Sequence, residues 1–339
     1  MVTRRKFCRI AAAAAAGVLL RGSIPPLRAQ GPASYNFFAL NTQDFAYPQQ
    51  SADLVWRVID LHESLDVPID ISLTTTMVDV YEAQFRDLLR RLCTSHVVCL
   101  GYHGRPPLPY HSSFDWLGIG EMSSDQQRSI IYSYETHGLD LVTGEPTLAS
   151  GGYAKLASLA GYAPPSVGIL VEGATLQASA DAVLAELGAQ FGVVHGRAAN
   201  LGDQRNQLYV RPEHYDLKLF QQVGRDARTV LDEALAAAPL AEGGRSPFVT
   251  GIKMHDNDFF AEDSAWTTVY LARGARQGPP WDTALKSPLL SDEAQRQMWD
   301  LYESTVRYAA SIRDRVPIAN SRDWQRALGI LGSGDLVIW

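Results

Sequence analysis

Three observations predict an α/β protein, a (β/α)-barrel of about seven units. Short apolar runs alternate with helical patterns from Tyr35 to Ser321, the arrangement that gives parallel strands joined by crossover helices. Polar, chemically useful residues stand at the ends of those runs, where α/β enzymes keep their chemistry. No internal repeat, low-complexity linker or charge block divides the chain. About seven units favour a closed barrel over an open doubly wound sheet, and no Gly-x-Gly-x-x-Gly or phosphate loop supports a nucleotide-binding version of the latter.

The elements follow in order. Tyr35 to Leu40 is an apolar, aromatic strand ending in Asn41-Thr-Gln-Asp44. Ser51 caps a helix in which Leu54, Val55, Val58, Ile59 and Leu61 recur at helical spacing. Val67 to Leu73 is the second strand, and a helix over Val80 to Leu92 leads to the third, Val97 to Leu100. A helix from Ser124 to Leu141 closes at the turn Thr143-Gly-Glu-Pro146. Tyr153 to Leu159 is helical and precedes the strand Val167 to Glu172. The helix Ala178 to Leu187 precedes the strand Phe191 to His195. Gln207 to Val210 reads as a strand or hairpin arm, Arg225 to Ala238 as a helix, and Phe248 to His255 as a strand with Asp256-Asn-Asp258 after it. A long helix, Asp292 to Ile312, and the run Val316 to Ser321 complete the pattern.

The N-terminus stands apart from this fold. Thr3-Arg-Arg-Lys-Phe-Cys-Arg9 is a twin-arginine pattern, Ala11 to Leu20 is apolar, and Leu27-Arg-Ala29 offers a small residue for cleavage. The apolar stretch is half the length of a membrane-spanning helix, which needs about 20 residues. Residues 1–29 therefore read as an export signal of the Tat type, with a single domain over 30–339 and a periplasmic or secreted destination. Loss of Arg4, Arg5, Lys6, Arg9, Arg21 and Arg28 leaves 24 basic residues against 37 acidic ones. So acidic a chain argues against nucleic acid and anionic membrane as partners. Cys93 and Cys99 remain, too few for a disulfide framework. Cys99 reads as a small buried residue, with pairing across the helix-to-strand turn as the alternative.

The chemistry centres on Gly101-Tyr-His-Gly-Arg-Pro-Pro-Leu-Pro-Tyr-His111, which leaves the third strand. Its prolines fix φ and hold side chains in place at low entropic cost. His103, Arg105 and His111 are candidates there. His255 and Asp256 end a later strand, and Glu172 and His195 end two others. Tyr110 and Trp116 are candidates to stack on sugar faces.

Read in order, these strand ends resemble the polysaccharide deacetylase family. Asn41-Thr-Gln-Asp44 stands where that family has a pair of aspartates, so Asp44 looks like its metal-binding aspartate and Gln43 or Asn41 occupies the place of the base. Asp66-Val-Pro-Ile-Asp-Ile-Ser72 is similar to the second strand. His103 matches the first of two histidine ligands, whereas the next histidine, His111, comes eight residues later rather than four. Thr143-Gly-Glu-Pro146 through Gly161-Tyr162 and Lys253-Met-His255-Asp256 are similar to later motifs. The resemblance implies a divalent metal, Zn²⁺ or a neighbour, on Asp44, His103 and His111. His255 in the late motif is a candidate acid, Asp256 or Glu172 could replace the missing base, and Arg105, Tyr110, Trp116 and His195 are, by their places at strand ends and loops, candidates to bind substrate. The implied activity is hydrolysis of an N- or O-acyl group on a glycan. The alternatives are a metal-free glycoside hydrolase using paired carboxylates such as Asp44 and Glu172, and a glycan-binding protein without catalysis.

Overall fold

The computed structural model describes residues 33–196, 199–236, 247–272, 274 and 277–330. The expected leader, residues 1–29, lies outside them. Strand β1 (Ser34–Thr42) is apolar enough to be buried along most of its length, and it pairs in parallel with strands on both sides. Helix α1 (Pro48–Leu65) begins with proline at its first turn, where the missing N–H costs nothing. Ser51 is not its cap. That side chain is buried and its hydroxyl donates to Asp256 at 2.6 Å. Asp66 ends α1 in the left-handed conformation with φ 51°.

Strand β2 (Ile69–Leu73) leads through the Thr74 cap into α2 (Thr75–Gln84). The single helix expected over 80–92 is two, because Phe85 leaves helical geometry (φ −135°, ψ 51°) before α3 (Arg86–Thr94). Strand β3 (Val98–His103) carries the histidine loop. Helix α4 (Ser124–Thr136) stops earlier than its pattern suggests, since β4 (His137–Leu139) and β5 (Pro146–Ser150) form a small antiparallel hairpin. Then come α5 (Gly152–Ala160), β6 (Ser166–Gly168), α6 (Ala174–Glu186) and β7 (Phe191–His195).

The short β8 (Gln204–Arg205) pairs antiparallel with β9 (Leu208–Glu213). Strand β10 (Tyr215–Lys218) follows after one residue, then α7 (Ala227–Ala236), β11 (Phe248–His255), α8 (Asp292–Ser311) and α9 (Ser321–Ala327). The expected strand over 316–321 reduces to a bridge between Asn36 and Ile318.

The main sheet runs β10-β11-β1-β2-β3-β6-β7-β9-β8, nine strands where about seven were expected. The additions are β8, the short antiparallel arm, and β10, which continues the extended segment of β9. β9 is parallel to β7 and β10 is parallel to β11. At the bend between them, the His214 N–H donates to the Val249 carbonyl (3.0 Å) and the His214 Nδ1 accepts from the Val249 N–H (2.9 Å). The sheet therefore curls back on itself as a distorted (β/α)-barrel. One core lies between sheet and helices. A smaller one, with Phe37, Phe191, Val249 and Trp324, fills the end of the barrel where the strands begin. The other end, where the strands finish, is left for polar side chains.

Candidate functional site

Strands alternate their side chains, so each one offers the barrel interior every second residue. At the C-terminal ends these inward positions are Asn41 on β1, Ser72 on β2, His103 on β3, His195 on β7, Arg211 and Glu213 on β9, and Lys253 on β11. With Arg105 they line one cleft. Gly251 of β11 faces Glu213: a Cβ there would stand 3.2 Å from the Glu213 Cγ, so glycine gives the carboxylate its room.

Glu213 is buried, with Arg211 Nη2 at 3.0 Å and His195 Nδ1 at 3.1 Å. Burial alone would raise its pKa. The Arg211 guanidinium, the His195 ring and the Lys253 ammonium outweigh that and hold it below the usual carboxylate range. A carboxylate facing Nδ1 places the imidazole proton there and leaves Nε2 as the basic nitrogen. The His195 side chain is 36% exposed and lines the cleft.

A second cluster surrounds Arg105. Its Nε donates to the Gln43 side-chain oxygen at 2.9 Å, Nη2 lies 3.1 Å from His255 Nε2, and Nη1 lies 3.4 Å from His111 Nε2. The guanidinium also sits over the Trp266 ring, 4.7 Å from its centroid. Burial lowers the Arg105 pKa to about 10, opposed by Asp258, which leaves it charged at neutral pH. Each neighbouring histidine is anchored through Nδ1: His255 on Asp258 (3.5 Å), His111 on the Ser112 carbonyl (2.8 Å) and His103 on the Gly168 carbonyl (3.1 Å). The His103 Nε2 is buried with no hydrogen-bond partner. Burial, then the Arg105 charge, pushes the pKa of His103 far down and that of His111 to about 4, so both are neutral.

The divalent ion expected on Asp44, His103 and His111 does not fit these donors. Asp44 is turned away, its oxygens accepting the Ala46 N–H (3.1 Å) and the Ala265 N–H (3.2 Å). The His111 Nε2 faces the Arg105 cation. Among the described residues no group of three or more His, Cys, Asp or Glu is placed to hold a metal. Asp256 is also structural rather than a cleft base. It is buried and accepts from the backbone of Gln43 (3.0 Å) and Asp44 (3.2 Å) and from Ser51, tying the end of β1 to the end of β11. Burial, then the neighbouring Asp44 charge, raises its pKa to about 7.

Further expectations are corrected. Tyr110 is fully buried and donates its hydroxyl to Glu135, so it supports the loop from beneath and does not reach a substrate. Glu135 is itself buried and also accepts from Tyr102 (2.9 Å) and the Tyr153 N–H (2.9 Å). Trp116 packs against Trp281, with its indole N–H on the Pro107 carbonyl (3.3 Å), because the proline loop needs an apolar floor. Glu172 is exposed and does not line the cleft, since β6 ends at Gly168. Cys93 and Cys99 are both free.

The structure thus brings together His103, Arg105 and His195, with His111 and His255 around Arg105. Sequence reasoning missed Glu213, Arg211 and Lys253. The signal available was the alternation Tyr209, Arg211, Glu213, which puts two opposite charges on one strand face.

No family model matches the chain, and no curated protein does. Among solved structures it is similar to one from Mycobacterium smegmatis assigned as a polysaccharide deacetylase, at 12% identity and a TM-score of 0.52, covering 91% of this chain and 96% of the other. It is also similar to the 4-alpha-glucanotransferase from Thermococcus litoralis, at 10% identity and a TM-score of 0.52, covering 87% of this chain but only 40% of that one. Identities this low speak to fold alone. What they establish, with the curled parallel sheet and its cleft at the strand ends, is that the chain has the polysaccharide deacetylase-like fold.

Proposed function

We propose that the protein is an exported hydrolase that removes an acyl group from a glycan by acid–base chemistry of its own side chains. The observation that carries this reading is the His195–Glu213 pair in a cleft that also holds Arg105, Arg211 and Lys253.

His195 Nε2 takes a proton from water as the water oxygen attacks the acyl carbonyl carbon. Glu213 holds the ring in the needed tautomer and stabilises the imidazolium that forms. The negative charge that develops on the carbonyl oxygen is met by the fixed cations Arg105 and Lys253, which line the same cleft. As the tetrahedral species collapses, the bond from the acyl carbon to the sugar oxygen or nitrogen breaks. The leaving atom then takes the proton back from His195.

Glycoside cleavage by a carboxylate pair is less well supported. Glu213 is the one carboxylate among the described residues lining the cleft, and such mechanisms require two. The test is acyl release from acetylated oligosaccharides. His195→Ala is expected to lower kcat/KM by about 10²–10⁴-fold, the range for a positioned general base. Turnover unchanged by that substitution sinks the reading.

A further inference from the structure

The cleft is cationic in a chain that is not. The sequence carries 37 acidic residues against 30 basic ones, whereas Arg105, Arg211 and Lys253 line the cleft against the carboxylate of Glu213. That carboxylate is already engaged by Arg211 (3.0 Å) and His195 (3.1 Å). The Arg105 nitrogens meet Gln43, His255 and His111 at 2.9, 3.1 and 3.4 Å. Lys253 is different. Its side chain is half-buried, and among the described residues it makes no hydrogen bond and no salt bridge.

A second lysine stands beside it. In the parallel pairing of β10 with β11, Lys218 is directly opposite Lys253, so the two side chains leave the same face of the sheet. Lys218 is 48% exposed, and its ammonium reaches only Asp216, at 4.0 Å. Like charges side by side on one face repel. An ammonium partly withdrawn from water without a partner also loses solvation with no return. Both costs fall when an anion sits at these lysines.

We infer that the glycan is acidic: beside the acyl group to be removed it carries an anionic oxygen substituent, a uronate carboxylate or a sulfate ester, which binds Lys253 with Lys218 at the rim. An ammonium has three N–H donors, so Lys253 can meet this substituent and the acyl carbonyl oxygen together. In so acidic a protein, a cationic cleft draws such a ligand in while the remaining surface repels it.

The inference rests on the reading of the cleft as a glycan site, and its test reads binding without turnover. Three acyl-free trisaccharides are titrated calorimetrically: a neutral one, its sulfate ester, and one carrying a hexuronate. The proteins are wild type, Lys253→Gln, Lys253→Arg and Lys218→Gln, with circular dichroism to verify folding. One or both acidic ligands are expected to bind wild type about 10-fold or more tightly than the neutral one, as a hydrogen bond to a charged group allows. Whichever does so identifies the substituent. The preference is expected to vanish in Lys253→Gln, persist in Lys253→Arg and weaken in Lys218→Gln. Should Lys253→Gln fail to fold, wild type and Lys218→Gln carry the same test. The inference is overturned if wild type binds the acidic ligands no better than the neutral one, or if a folded Lys253→Gln protein keeps the preference. Acyl release by an enzyme that shows no such preference would refute this inference and leave the proposed function standing. A lysine-dependent preference without acyl release from any acetylated oligosaccharide would do the reverse.

Discussion

Glu213 shows how one buried charge joins stability to chemistry. It is held between Arg211 and His195 with almost no solvent contact. Glu213→Gln leaves the Arg211 guanidinium buried without its counter-charge, and removing one partner of such a pair costs about 3–5 kcal/mol. The expected outcome is a lower midpoint in urea together with reduced acyl release. His195→Ala, at a half-exposed ring, is expected to lower turnover with a much smaller change in midpoint. Equal destabilisation by both would contradict the division of labour between them. At this scale the sequence was partly legible. His103, Arg105, His195 and His255 stand at strand ends and could be picked out by position. Asp44 and Asp256 could not be told from cleft residues, because what decides their role is which backbone amides claim the carboxylate. That claim is made by the packing of β1 against β11, across more than 200 residues of chain.

Among the elements, α1 and α8 are pinned together by a buried polar contact. The His62 ring in α1 has Nδ1 2.9 Å from the Val67 carbonyl and Nε2 2.8 Å from the Tyr302 hydroxyl. Burial lowers its pKa from 6.5 to about 4, with the Val67 carbonyl opposing. A histidine with a depressed folded pKa takes up its proton on unfolding. Its stabilising contribution is therefore complete above about pH 6.5 and lost as the pH falls towards 4. Across that window the loss is roughly 3 kcal/mol. Thermal midpoints are expected to fall over this range in wild type and to fall less steeply in His62→Gln. Parallel slopes would show that the ring is not the group responsible. Helix and strand types were legible from periodicity, but three boundaries were not. Phe85 breaks a helix that apolar spacing alone would continue, α4 gives way to a hairpin, and β6 is three residues long. In each case tertiary packing sets the limit, and local pattern does not report it.

For the whole molecule, the barrel was legible because alternation of strands and helices leaves few topologies open. Its closure was harder to see, since β9 and β10 share one segment that serves two neighbours. No helix of the described residues is long and apolar enough to cross a membrane. The twin-arginine pattern at Arg4 and Arg5 instead predicts export. With both changed to lysine, the protein is expected to stay in the cytoplasm on cell fractionation, and normal export of that variant would contradict the Tat assignment.

The central claim is that catalysis belongs to His195 and Glu213. Acyl release from acetylated glycans by the purified protein, measured before and after exhaustive chelation, addresses it most directly. The account predicts turnover that survives chelation and falls about 10²–10⁴-fold in His195→Ala. Turnover abolished by chelation and restored by a divalent ion would contradict it.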